Sequence, residues 1–213
     1  MFGRGRDRLG LITVVAVAAV VFTLLQLARQ ELWDVDGYYH IRAAELLRSH
    51  GISRTFPWWQ ETFLRDRWAD KDFLYHLLLI PFTFGDLVAG ARAGAVVFAT
   101  GMVATFHEVL RRLSVRRPAL WTLALLAFSP MLLGRLAFPR GFVLAITLAL
   151  AGTAAIFLGR YRVAAAIAAA YAWTHISYHF LPCVALVHDL VPRGDGRRSF
   201  RTTLWTLGGT AAG

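Results

Sequence analysis

The chain has 213 residues, of which 57% are hydrophobic and 17% are charged, and its formal net charge is +10. A soluble domain of this size is normally less apolar and more charged, so the composition excludes an ordinary soluble enzyme and indicates an integral membrane protein. The arginines lie in short clusters between apolar runs, as they do in cytoplasmic loops, and no DNA- or RNA-binding motif accompanies them. We therefore predict no nucleic-acid partner.

The first apolar run covers residues 9–27 and follows Arg4, Arg6 and Arg8. It is long enough to cross about 30 Å of hydrocarbon, and no small-x-small cleavage site precedes Arg29. We therefore predict an uncleaved transmembrane helix rather than a signal peptide. Because positive charge favours the inner side, the N-terminus is predicted to be cytoplasmic and the helix to end at the outer face.

A long external loop is predicted for residues 30–87. Tryptophan favours the membrane–water interface, so we expect the loop to lie on the bilayer surface. Its tryptophans are Trp33, Trp58, Trp59 and Trp68. Within this loop, the pattern over residues 36–49 predicts an amphipathic helix that ends near Gly51.

The apolar stretch 73–84 is too short for a confident membrane span and contains Pro81. Counting it as a crossing would place the next arginine cluster, residues 111–117, outside, against the positive-inside rule. We therefore predict a surface or re-entrant helix on the outer side.

The remaining apolar runs alternate with polar turns, which predicts an all-α polytopic membrane protein. The predicted membrane helices cover residues 88–110, 119–133, 142–158, 163–176 and 178–191. The final run, 203–213, is too short to span and is expected to be the start of a seventh membrane helix that is cut short.

Two carboxylates, Asp34 and Asp36, directly follow the predicted exit of the first helix. Because charges are costly inside a bilayer, these groups are expected at its polar surface, where they can accept a proton or bind a metal ion. Asp36 is the candidate base, and Asp34, Asp36 and His40 are candidate metal ligands. The alternatives are a helix cap for an aspartate and an interfacial histidine bonded to a neighbour for His40.

A dense charge cluster occupies residues 65–72. Asp70 and Asp72 are further acidic candidates, and Arg65 and Arg67 are candidates for binding a lipid phosphate. If the segment is helical, Asp66 and Asp70 share one face. The alternative is a solvated, self-paired run of charges that contributes little to stability.

Arg135 and Arg140 flank the second predicted external turn. Arginine outside the membrane opposes the positive-inside trend, and a lipid phosphate is a natural partner for it. The alternative is that both side chains extend along the bilayer to reach the interface.

Three stretches carry a family resemblance: DVDGYYHIR at 34–42, DKDFLYH at 70–76 and SPMLLGR at 129–135. With one exiting helix, an acidic motif directly after it and a long external loop, the chain resembles the GT-C superfamily of polyprenyl-phosphate-dependent glycosyltransferases. It is most similar to the oligosaccharyltransferase catalytic-subunit group, over residues 9 to about 200. The resemblance implies a GT-C-type transmembrane helix bundle with amphipathic helices in the first external loop. Residues 1–213 would be its N-terminal transmembrane module, without the family's soluble domain.

The resemblance also implies a function. Such an enzyme transfers a sugar or glycan from a polyprenyl-phosphate or polyprenyl-pyrophosphate donor to an acceptor, here unidentified, on the outer face of the cytoplasmic membrane. The family's essential aspartate corresponds to Asp36, and Mg²⁺ or Mn²⁺ is the candidate cofactor. The second external turn, 135–142, lacks the acid that oligosaccharyltransferases place there. The alternative is a non-catalytic scaffold, or a lipid or polysaccharide transport component, of the same fold.

Overall fold

The computed structural model describes residues 3–55, 61–191 and 199–213. These residues form α-helices joined by turns and contain no strand. The helices are α1 (Gly3–Leu27), α2 (Asp36–His50), α3 (Phe73–Leu79), α4 (Leu87–Arg112), α5 (Pro118–Phe128), α6 (Pro130–Leu136), α7 (Gly141–Phe157), α8 (Tyr161–Ala172), α9 (Phe180–Leu190) and α10 (Arg201–Ala212). Short 3-10 turns occur at Phe63–Arg65 and Ile80–Phe82. Trp58 and Trp59, predicted at the interface, lie outside the described residues.

Two helices, α1 and α4, are long and apolar enough to cross a membrane, and the bent pair of α5 and α6 would make a third if it is one span. On α1, the side chains of Leu9, Ile12, Val20 and Leu24 are more than half exposed. An apolar face of this kind is suited to lipid rather than water. The described part of the chain is therefore all-helical, with two to three candidate membrane-spanning helices.

The shorter helices differ in length from their predicted crossings. The segments predicted as membrane helices at 142–158, 163–176 and 178–191 form α7, α8 and α9, with 17, 12 and 11 residues. A straight transmembrane helix needs about 20 residues, so none of the three reaches the usual length of a span. α7 and α9 are nevertheless apolar.

The prediction of one continuous helix over 119–133 is wrong. The chain instead bends by 89° between α5 and α6. Ser129 has an extended φ of −127° and ψ of 67°, and Pro130 is the first residue of α6. Proline has no N–H to donate, its ring clashes with the carbonyl one turn earlier, and it disfavours helical geometry in the preceding residue. Helix α5 therefore ends at Phe128.

Helices α1 and α4 pack antiparallel, whereas α8 and α10 run parallel, and the bundle has two chemically different ends. Arg92, near the start of α4, donates to the carbonyl of Arg29 just after α1, with an N–O distance of 3.0 Å. Gln26, near the end of α1, donates to the carbonyl of Ala137 after α6 at 2.6 Å. We call this the carboxylate end, because Asp34, Asp36, Asp70 and Asp72 lie there. The opposite end, with Arg111, Arg112, Arg160 and Arg201, is the arginine end.

The segment around α3 both begins and ends at the carboxylate end. The backbone N–H of Leu74 donates to the carbonyl of Trp173 after α8 at 2.8 Å. The other end of the segment packs against α4, where the carbonyl of Phe82 contacts Gly90 so closely that no side chain would fit there. Tyr75, Leu79 and neighbouring apolar side chains of α2 and α4 form a buried cluster beneath it. The segment therefore lies over the bundle and contacts α2, α4 and α7.

At the arginine end, Asp189 joins α9 to the start of α10. Its Oδ2 accepts hydrogen bonds from the backbone N–H of Thr203 at 2.8 Å and from the Thr203 hydroxyl at 3.0 Å. A carboxylate there satisfies a backbone donor that the first turn of a helix cannot satisfy itself. Asp189 therefore fixes the position of α10 although it belongs to another helix.

Candidate functional site

One arginine bridges the two carboxylates of the acidic motif. The guanidinium of Arg140, just before α7, binds both oxygens of Asp34, with Nη2 3.0 Å from Oδ1. The same Nη2 lies 2.7 Å from Oδ2 of Asp36. Such forked contacts between arginine and carboxylate are short, charge-assisted hydrogen bonds. They fasten the chain after α1 to the start of α7.

Gly37 makes this approach geometrically feasible. A side chain at this position would collide with the ring of Pro139 and would place its Cβ 3.0 Å from Cδ1 of Leu32. Because glycine has no Cβ, the first turn of α2 packs directly on Pro139. The residue after that proline is Arg140, so this contact brings its guanidinium to the carboxylates.

The carboxylates do not cap α2. The N-cap position is occupied by Val35, and no side chain accepts a hydrogen bond from the first turn. The capping alternative is therefore wrong for Asp34 and Asp36. The side chain of Asp34 is only 10% exposed, whereas that of Asp36 is 52% exposed. Asp36 therefore presents a carboxylate to the surroundings, whereas Asp34 is mostly enclosed.

A second polar cluster joins α2 to the loop and helix that follow residue 69. Nδ1 of His40 and Nε2 of His76 are 2.8 Å apart, and Nδ1 of His76 lies 2.6 Å from Oδ2 of Asp70. An ionised carboxylate only accepts hydrogen bonds, so His76 donates through Nδ1. In the neutral ring with its proton on Nδ1, Nε2 of His76 accepts a hydrogen bond from Nδ1–H of His40. The three side chains form one directed hydrogen-bond chain, and both imidazoles are buried.

Asp72 lies beside this chain in a different environment. Its backbone N–H donates to Oδ1 of Asp70 at 3.0 Å, and its Oδ2 pairs with Nζ of Lys71 at 2.9 Å. Its Oδ1 would be 2.9 Å from a Cβ placed on Gly141, the first residue of α7. The buried carboxylate of Asp72 therefore packs against the first residue of α7.

The segment 65–72 is not a helix, so the predicted shared face of Asp66 and Asp70 does not form. Arg65 and Arg67 are exposed, and Nε of Arg65 lies 3.7 Å from Oδ1 of Asp66. Arg135 is exposed on α6 and has no ion pair within residues 3–55, 61–191 and 199–213. Of the four arginines predicted to bind phosphate, the structure places only Arg140 with the acidic groups.

Burial and neighbouring charges favour the uncharged forms of two side chains of the site, His40 and Tyr39. Burial lowers the pKa of His40 to about 3, and His76, Lys71 and Arg140 add to the effect. Burial raises the pKa of Tyr39, as do the carboxylates of Asp70, Asp72 and Asp36. The acids that raise the pKa of Tyr39 come from both clusters. The two clusters therefore lie near the same side chain and are described as one site.

The depressed pKa of His40 predicts that acid destabilises the fold. The unfolded chain takes up this proton near pH 6.5 and the folded chain only near 3, so protonation favours unfolding between these values. We expect the full stabilising contribution above about pH 6.5, and a loss of about 2 kcal/mol by about pH 5. Unfolding in mixed detergent micelles at each pH measures this loss.

The charged and titratable groups that act on His40 are His76, Lys71 and Arg140, and the rings of Tyr39 and Tyr75 contact its imidazole with centroids 5.1 and 5.3 Å away. The control is His40→Gln, which has no group to protonate in this pH range. The variant should lose less stability than the wild type between pH 6.5 and 5. Equal losses in the two proteins would contradict the assignment of the effect to His40.

The predicted metal ligands do not converge. Asp34 and Asp36 bind Arg140, and Nδ1 of His40 bonds to His76. In the part of the chain that the structure describes, no three His, Cys, Asp or Glu side chains are arranged to hold a metal ion. As placed, this ligand set does not fit a divalent cation, and Mg²⁺ or Mn²⁺ binding stays a prediction.

No role is predicted for His76, which the structure places between His40 and Asp70. The stretch 70–76 drew attention through its acids, and the histidine at its end is separated from His40 by 36 positions. The one feature of the sequence that points to His76 is its spacing, because it lies six residues after Asp70, to which it bonds.

The comparisons with known proteins give no family for the chain: no family model, no curated protein and no solved structure matches it.

Proposed function

We propose that the chain is a membrane glycosyltransferase of GT-C type. It transfers a sugar or glycan from a polyprenyl-phosphate or polyprenyl-pyrophosphate donor to an acceptor at the outer face of the cytoplasmic membrane. The observation that carries the proposal is the pairing of Asp34 and Asp36 with Arg140 at the end of a helix long enough to span. At that point two carboxylates and a guanidinium lie beside the buried hydrogen-bond chain of His40, His76 and Asp70.

The two charges of the site suit the two demands of this reaction. The acceptor must lose a proton, and negative charge develops on the departing phosphate. Asp36 is half-exposed and pairs with Arg140 through Oδ2 alone within the described residues, so Oδ1 is the proton acceptor. Arg140 bonds through Nε and Nη2, and its Nη1 has no partner within the same ranges. This remaining donor faces the phosphate of the donor lipid.

The histidine chain keeps these groups in place. His40 lies one turn after Asp36 on α2, and its bond to His76 ties that turn to α3. Asp70 in turn fixes the orientation of His76 at 2.6 Å. Groups held by such supporting hydrogen bonds lose little entropy when substrate binds.

The proposed orientation is multi-pass, with a cytoplasmic N-terminus and the carboxylate end outside. The arginine end supports it, because exposed arginines at Arg111, Arg112, Arg160 and Arg162 lie opposite the candidate site. An excess of Lys and Arg marks the cytoplasmic side of a membrane protein.

A non-catalytic scaffold or transport component of the same fold is the second candidate. The observation that favours it is the enclosure of Asp34, whose two oxygens are both bonded to Arg140. In that function the ion pair of Asp34 and Arg140 is structural and holds the segment after α1 against the start of α7.

Asp36→Asn tests the proposal. The protein in proteoliposomes is given a polyprenyl-phosphate donor with a labelled sugar, and transfer is expected to fall at least about 100-fold because the amide cannot accept the proton. The unfolding temperature should stay close to that of the wild type.

The matched control is Glu31→Gln, which removes an exposed carboxylate from the same loop and should retain transfer. Full turnover by Asp36→Asn would exclude Asp36 as the base, and an inactive wild type across donors would favour the scaffold.

A further inference from the structure

A groove at the arginine end lies on the opposite side of the bundle from the candidate site. It is formed by α1, α4, α7 and α8 and encloses about 540 Å³. Its inner wall is apolar and includes Leu11, Ala104, Ala151 and Ile167. The groove therefore offers a hydrocarbon-like surface in the part of the chain that contains both long candidate spans.

The mouth of the groove is basic. Arg112 is the last residue of α4, and Arg160 directly precedes α8. Arg112 lies eight positions after Ala104, which is about 12 Å along the axis of a helix. Ile167 lies seven positions after Arg160, or about 10 Å. The groove thus changes from cationic at the end of the bundle to apolar within about one-third of the hydrocarbon thickness.

The charges at the mouth do not cancel. Glu108 also lines the groove, but its carboxylate binds two arginines, Arg111 at 2.7 Å and Arg112 at 2.6 Å. Arg160 is exposed and has no ion pair within residues 3–55, 61–191 and 199–213. The lining of the groove itself holds two guanidinium groups, those of Arg112 and Arg160, and one carboxylate. Because Arg111 outside the lining also pairs with that carboxylate, the mouth keeps a net positive charge, which favours an anionic ligand.

We propose that this groove binds an anionic phospholipid of the adjoining leaflet, such as phosphatidylglycerol. The lipid phosphate bonds to Arg160 and Arg112, and the upper part of an acyl chain lies on the wall formed by Leu11, Ala104 and Ile167. A basic pocket between membrane helices recognises headgroups in this way, whereas a soluble anion would not use the apolar wall. The proposal is independent of sugar transfer, since the groove and the candidate site lie at opposite ends.

The test measures lipid retained by the purified full chain in native mass spectrometry, after titration with phosphatidylglycerol or phosphatidylcholine. Phosphatidylglycerol should bind more tightly. Arg160→Gln should weaken its binding about fivefold, the effect of one basic residue near an anionic lipid. The matched control is Arg116→Gln, which removes an exposed arginine from the same end but not from the groove. This control should change binding less than about twofold.

Four results would overturn the proposal. Equal losses in Arg160→Gln and Arg116→Gln would mean that only general surface charge attracts the lipid. Equal binding of phosphatidylcholine would exclude a site for anionic headgroups. Tighter binding of undecaprenyl phosphate than of phosphatidylglycerol would assign the groove to the carrier lipid instead. Free glycerophosphoglycerol should not compete at the same concentration, and if it does, the apolar wall takes no part.

Discussion

Arg140→Gln is expected to lower the free energy of unfolding by about 2 kcal/mol, because two carboxylates lose their shared cation. Asp34 contributes most of this loss, since its side chain is 10% exposed and water cannot replace the guanidinium. Asp36 contributes less, because its side chain is 52% exposed. Reversible unfolding in mixed micelles measures the change. If the proposed function holds, sugar transfer should fall at least about 100-fold as well.

Two further variants separate charge from geometry. Arg140→Lys keeps the positive charge but cannot form the forked contact with Asp34, so its stability should lie between wild type and Arg140→Gln. Asp34→Asn combined with Arg140→Gln removes both partners and should cost less than the sum of the single changes. Strict additivity of the two changes would contradict the ion pair.

His76→Leu is expected to destabilise the fold by about 3 kcal/mol, because the side chain bonds to a partner at each end and is fully buried. Leucine fills much of the volume but leaves Nδ1 of His40 and Oδ2 of Asp70 without their hydrogen bonds. The same unfolding measurement applies. A loss of this size would show that the hydrogen-bond chain of His40, His76 and Asp70 stabilises the site.

The matched control is His50→Leu, which changes an exposed histidine at the end of α2. That change should stay within about 0.5 kcal/mol of the wild type. Asp70→Ala should destabilise less in the His76→Leu background than in the wild type, because its partner is already absent. A His76→Leu variant as stable as the wild type would show that the hydrogen-bond chain does not hold the site together.

Local features of the sequence predicted local structure. The amphipathic pattern after Asp36 predicts a helix that ends at Gly51, and α2 spans Asp36–His50, with Gly51 at φ +76°. A glycine tolerates that backbone conformation, so the signal lies in a single residue. The bend coincides with Pro130, a residue that breaks helices. The apolar run continues through this proline, and hydropathy alone does not register its missing N–H.

The long-range contacts of the site were beyond sequence reasoning. Arg140 lies 106 positions from Asp34. The sequence marks it only as an arginine in a predicted external turn, against the positive-inside trend. What brings the two together is the contact of Gly37 with Pro139, which depends on how α2 packs against the turn before α7. The bond between His40 and His76 likewise depends on packing, here of α2 on α3. Neither pairing has a periodic pattern that a single sequence could reveal.

The right-angled bend after α5 has a consequence for the surrounding bilayer. Helix α5 has 11 residues and rises only about 16 Å, half the usual hydrocarbon thickness, before α6 turns aside. In a bilayer, lipids along this flank would meet a short hydrophobic wall, and we expect them to adapt to the mismatch by thinning. We expect exposed Arg135 on α6 to add to this thinning by drawing water and headgroups inward. The membrane is therefore expected to be dimpled beside the carboxylate end.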